Sequence, residues 1–267
     1  MPRVQRPDGA EIDFRVQGDE GPLVVIVRMG LHPPVVCSGI VDELATDHRV
    51  LSYDLRGTGG SSRTGPYDIE TDARDLAAVV ERAGGDALAV ALGDGSRRAV
   101  RAATARPDLI HTVVISGELP LGPIVAGPRE ALADSRVVLD TLLGLLESDY
   151  RMGLRSMLAS SGEGVWHEAA LRARLDAIEE HCPREVGVAR LRAWTRDDSL
   201  EPARTLGDRL WYLHYPGNAW FQGSLDAIRQ GLPKARFDQV PDGVISRPRE
   251  NAAAIRRMLA ARGAIVP

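Results

Sequence analysis

The segment that decides what chemistry this chain can do is Ala91-Leu92-Gly93-Asp94-Gly95-Ser96. It follows a short apolar run, Leu88 to Leu92, and precedes a helical pattern from Arg97 to Ala105. Strand, tight glycine turn and helix together form the setting of a nucleophile elbow, in which a strained turn lifts one reactive side chain above a sheet. A serine is expected at the apex, and none stands there. The apex falls on Gly93 or on Asp94, depending on register. Such a turn needs small residues two before and two after its apex. With Gly93 at the apex these are Ala91 and Gly95; with Asp94 they are Leu92 and Ser96, and Leu92 is bulky. Counting back from Pro107 also favours Gly93, whereas counting forward from Gly84 favours Asp94. With Gly93 at the apex, Asp94 becomes the N-cap of the following helix, a position where aspartate is favoured. With Asp94 at the apex, it becomes a candidate nucleophile or acid.

Few other residues could assist. His32 lies in Met29-Gly30-Leu31-His32, just after an apolar run, and could pair with Asp94 as an acid–base couple; the plainer expectation is an ordinary loop histidine before Pro33. Glu118 follows another apolar run, where a carboxylate either serves as an acid or caps a backbone group. Cys37 and Cys182 stand far apart, and His181-Cys182 has no third metal ligand beside it, so no metal site is expected. Trp166, Trp194, Trp211, Trp220, Tyr150, Tyr212 and Phe221 concentrate in the second half of a chain that is only 4% aromatic. They predict either helix packing or an apolar ligand pocket.

These residues must be positioned by the surrounding elements. Alternation over 11–17 predicts a half-buried strand, and the continuous run Leu23 to Val27 a strand buried on both faces. Further strands are expected at Arg49–Tyr53, Leu88–Leu92, Thr112–Ser116, Arg209–His214 and Arg236–Val240. Helices are expected at Val35–Leu44, Ile69–Arg82, Arg97–Ala105, Leu225–Gln230 and Arg249–Ala261. Strands alternating with helices imply a mostly parallel sheet with right-handed crossovers. Between 118 and about 205 the rhythm breaks into helical patterns alone (Arg129–Leu146, Tyr150–Ala159, Glu168–His181, Val186–Trp194), read as an inserted helical cap.

The 267 residues suffice for one α/β core plus such an insertion. A formal net charge of -4 argues against a nucleic-acid partner. The basic residues are almost all arginine, with Lys234 the single lysine, a composition bias rather than a binding surface. Two separate cysteines, no signal segment and no apolar run of membrane length lead us to expect a reduced cytoplasmic protein with no membrane partner. Oligomeric state is left open by the sequence.

The order and spacing of these motifs resemble the α/β-hydrolase superfamily over nearly the whole chain. The resemblance rests on Tyr53-Asp54-Leu55-Arg56-Gly57-Thr58-Gly59-Gly60-Ser61-Ser62, the helix Thr71–Arg82, the glycine elbow and Arg106-Pro107-Asp108-Leu109. It implies an α/β-hydrolase fold: a mostly parallel twisted sheet flanked by helices, with core residues 1–117 and 206–267 and a helical cap over 118–205. The ligand pocket would lie between cap and sheet, floored by Met29, Gly30, Gly93 and Asp94, with Leu31, Gly95, Glu118 and Trp220 nearby as binding candidates. The resemblance also implies losses. The nucleophile position holds Gly93 or Asp94, the usual His-Gly of the oxyanion loop is Met29-Gly30, the acid position holds Asn218, and Val244 replaces the base. No histidine follows His214. Acyl-enzyme chemistry needs an activated nucleophile beside a base. The leading expectation is therefore a degenerate-triad protein, a pseudoenzyme that binds or non-covalently transforms a small apolar molecule without a cofactor. The alternative is an atypical hydrolase of esters, epoxides or halides with Asp94 as nucleophile or acid, although Val244 cannot activate water for it.

Overall fold

The computed structural model describes residues 2–116, 140–160, 167–216 and 225–263. Eight strands form a single sheet in the order β1-β2-β4-β3-β5-β6-β7-β8. They are β1 (Arg3–Gln5), β2 (Glu11–Gln17), β3 (Leu23–Val27), β4 (Arg49–Tyr53), β5 (Ala87–Leu92), β6 (Ile110–Ser116), β7 (Leu210–His214) and β8 (Arg236–Gln239). β1 pairs with β2, and β2 with β4, antiparallel; all other pairs are parallel. The central strands β3 and β5 are buried at every position, as their unbroken apolar runs require in a sheet covered on both faces. β1 was not anticipated: three residues at a sheet edge give too short an alternation to register.

Helices cover both faces. On one side lie α2 (Ile69–Arg82) and α3 (Gly95–Ala105), where Leu76, Val80, Ala99 and Val100 pack on Val25, Ala89 and Val113. On the other side α1 (Ser38–Leu44) and α10 (Pro248–Gly263) pack Ile40, Ile255 and Met258 against Val24, Val50 and Val90. The start of α2 is fixed locally. Asp68 accepts a hydrogen bond from the Thr71 N–H at 2.7 Å, and Glu70 and Asp72 in the first turn face the positive end of the helix.

Between β6 and β7 the described residues form helices and no strand: α4 (140–148), α5 (Tyr150–Ser160), α6 (Glu168–His181), α7 (Arg184–Arg196) and α8 (Leu200–Leu206). Helices α4–α7 share their own core, with Leu146, Leu154, Leu175, Ile178 and Val186, and Leu31 from the loop after β3 inserts into it. Helix α8 falls within the expected cap range. It nonetheless buries Leu200, Ala203 and Leu206 in the sheet core, beside α3. The remaining helix is α9 (Leu225–Gly231). No described helix is long and apolar enough to cross a membrane.

Candidate functional site above the glycine elbow

The elbow is where the sequence places it, at the carboxyl end of β5. Gly93 carries the positive φ of the turn, 51°, and α3 begins at Gly95. A left-handed residue here suits glycine. Gly95 shows why the residue two past the turn must be small: a Cβ there would lie 2.2 Å from the Val27 carbonyl oxygen. A Cβ on Gly93 would come within 2.8 Å of Met29 Cγ, so the space above the apex already belongs to the Met29 side chain.

Asp94 holds the N-cap position of α3, yet its side chain makes no capping bond. This corrects the expectation of a capping role. The carboxylate turns across the elbow instead. It accepts the Gly30 N–H at 3.0 Å (Oδ1) and 3.3 Å (Oδ2), and Arg98 Nη1 donates to Oδ2 at 2.9 Å. The cause is chemical: Arg98 lies one turn along the same helix, and a buried guanidinium must be neutralised. Arg98 Nη2 donates onward to the Arg28 carbonyl at 2.6 Å. Burial alone would raise the Asp94 pKa, but Arg98, the Gly30 N–H and Arg190 outweigh it and hold it below the ordinary aspartate value.

The loop after β3 supplies oxyanion stabilisation in this architecture through its backbone N–H groups. Here one of those donors, Gly30, is already bound to a carboxylate.

His32 does not pair with Asp94: among the described residues no hydrogen bond joins them. The ring is buried, and its Nδ1 has no partner. Burial, then the charge of Arg174, pushes its pKa down to about 3, with Asp94 opposing. It is therefore a neutral imidazole at any ordinary pH. The other expected residues separate. Met29 and Gly30 do border the elbow, whereas Leu31 anchors the cap core. Val244, at the base position, is buried among Val240, Ala252 and Ile255. Glu118, Trp220, Asn218, Trp166 and Phe221 lie outside the described residues.

Sequence reasoning missed an arginine–aspartate cluster around the elbow. Arg28, just past β3, donates through Nε to the His32 carbonyl at 3.0 Å, through Nη1 to the Tyr53 carbonyl, and through Nη2 to Asp54 at 2.8 Å and His181 Nε2 at 3.1 Å. Arg190 descends from cap helix α7 and donates to Asp72 Oδ2 and the Arg56 carbonyl. Its Cδ would lie 3.5 Å from a Cβ on Gly30, so its stem roofs the elbow. Arg97 bonds Asp197 at 3.1 Å and lies over the Trp194 ring. One signal was available: Asp94 and Arg98 stand four apart, a helical ion-pair spacing. Arg190 has no local counterpart that could have marked it.

Beside Asp94 is a cavity of about 10 Å3, lined by Tyr67, Ile69, Asp72, Arg97, Arg98, Arg190, Ala193 and Trp194. Of the expected aromatics, Trp194 reaches it; Tyr150 and Tyr212 pack in the cap and sheet cores, and Trp211 stacks under Arg236. The described lining mixes charged side chains with Tyr67, Ile69, Ala193 and Trp194, where an apolar pocket was expected.

Eight-stranded sheet, elbow at the end of β5 and helices inserted after β6 define one class. The chain matches the Alpha/beta hydrolase family over residues 31–262, and it belongs to that family. No curated protein sequence matches it. Solved structures share the fold at low identity. A bromoperoxidase from Bacillus anthracis superposes with a TM-score of 0.78 at 18% identity, covering 94% of this chain and 96% of that one. An esterase from Thermogutta terrifontis gives 0.74 at 20%, covering 98% and 99%. The enol-lactonase from Burkholderia xenovorans LB400 gives 0.71 at 19%, covering 97% and 98%.

Proposed function

We propose that this family member does not carry out acyl-enzyme hydrolysis, and that its site between cap and sheet recognises a small molecule non-covalently. The observation that carries this reading is the Asp94 carboxylate, bound to the Gly30 N–H and Arg98 beside an apex that has no side chain. Without a nucleophile at Gly93 or a base at Val244, neither half of acyl transfer has its reagent. Asp94 as nucleophile is poorly supported: its oxygens are occupied, and no hydrogen bond links it to His32. The relatives named as esterase and lactonase support small esters and lactones as the shapes to try. Tyr67, Ile69, Ala193 and Trp194 favour an apolar body for the ligand, and the arginine–aspartate cluster a polar end.

The test is thermal denaturation with a panel of small esters, lactones, ketones and carboxylic acids, each analysed afterwards for conversion. The reading expects at least one compound to raise the Tm by several degrees and to be recovered intact, with the effect lost in Ala193→Trp. No stabilising compound, or only converted ones, would overturn it.

A further inference from the structure

Buried polar atoms without partners are scarce in folded proteins, and a cluster of them needs a reason. Several such atoms belong to residues lining the cavity beside Asp94, and three of them bear on ligand binding. They are Asp72 Oδ1, Arg98 Nε and Arg190 Nε, on side chains 2%, 3% and 6% exposed. They come from three elements: the first turn of α2, the first turn of α3, and cap helix α7. A fourth, Tyr53 Oη at the end of β4, is also buried without a partner. Between them these groups hold two guanidinium N–H donors and one carboxylate oxygen without partners.

Resting on the non-covalent binding site proposed above, we infer that the polar end of the ligand is the carboxylate of a small organic monoacid, accepting from Arg98 and Arg190 and sharing one proton with Asp72. The lining charges already pair within the protein, Arg98 with Asp94, Arg190 with Asp72 and Arg97 with Asp197, so an added carboxylate keeps the balance only when a proton comes with it. The proton settles the remaining conflict. Two carboxylates cannot meet fully ionised, so one proton enters from solvent and lies between them. Asp72 is suited to hold it. Burial raises its pKa against the pull of Arg190 and Arg98, and Asp75 on the same helix adds to the rise. Asp94, Arg97 and the Tyr53 phenol complete the titratable and charged surroundings. The cavity of about 10 Å3 has room for roughly one water. The carboxylate therefore enters with an outward shift of the Arg190 side chain, and the ligand body lies toward Tyr67 and Trp194.

The experiment is isothermal titration of the full chain with matched acid–amide pairs (acetate and acetamide, propionate and propionamide, benzoate and benzamide). It is run in two buffers of different ionisation enthalpy, beside the neutral members of that panel. The expected result is an acid bound at least tenfold tighter than its amide, with close to one proton taken up per acid. In Asp72→Asn the proton uptake should vanish while the acid still binds. Amides binding as tightly as acids would overturn the inference, as would acids bound without proton uptake, or a cavity that takes water only. Should Asp72→Asn fail to fold, the acid–amide ratio and proton count of the unaltered chain still decide. If neutral compounds bind and acids do not surpass their amides, only this inference falls; if nothing binds at all, the broader reading falls with it.

Discussion

Asp94 is the residue on which the account turns, and its environment changes what a substitution there should do. As a helix cap it would have been nearly replaceable by asparagine. As the counter-ion of Arg98, a guanidinium 3% exposed, it is not. Asp94→Asn keeps an acceptor for the Gly30 N–H but removes the charge that balances Arg98. Breaking a buried ion pair costs several kcal/mol, and Asp94 is partly exposed, so a loss of about 1–3 kcal/mol is expected. Urea unfolding checks this, and the double variant Asp94→Asn/Arg98→Met should lose less than the sum of its parts. A loss within about 0.5 kcal/mol, in the range of ordinary surface changes, would mean that the pair carries no stability.

At the scale of elements, the cap is tied to the core by buried polar contacts as well as by packing. His181, at the end of α6, accepts from Arg28 through Nε2, and its carbonyl accepts the Gly59 N–H at 3.0 Å. Burial, then the Arg28 charge, lowers its pKa to about 4, and burial lowers that of His32 to about 3, both from 6.5. The sign follows directly. Below pH 6.5 the unfolded chain takes up protons that the folded chain refuses, so stability is complete above that pH and falls as pH drops toward the folded values. Each histidine contributes a slope of about 1.4 kcal/mol per pH unit inside its window. Between pH 7 and 5, His32→Gln should lose about 2 kcal/mol less than the parent in urea unfolding. Equal losses would show that His32 titrates normally in the fold. The elements themselves were largely legible, because βαβ rhythm is written in hydrophobic periodicity. Helix α8 was not: Leu200, Ala203 and Leu206 form too short a pattern next to the cap helices, and only their packing on the core reveals them.

For the whole molecule, fold and reaction were legible to different degrees. The parallel sheet, the elbow and the inserted helices could be read because backbone geometry restricts local residue types, as at Gly93 and Gly95. Val244, where the resemblance would place a base, stands in an apolar cluster. The arginine–aspartate cluster was hidden because its members are brought together from far apart in the chain. Arg190 meets Asp72 across 118 positions, and Arg28 meets His181 across 153. A pocket expected to be apolar thus carries charged side chains beside its apolar ones in the described lining, which no helical or strand period encodes. The central claim, that this fold works here without acyl-enzyme hydrolysis, is tested most directly by steady-state turnover of a short-chain aryl ester at neutral pH. The account predicts a rate on the order of a millionfold below that of an intact triad, and the same in Asp94→Ala. Sustained turnover that disappears in Asp94→Ala would contradict it.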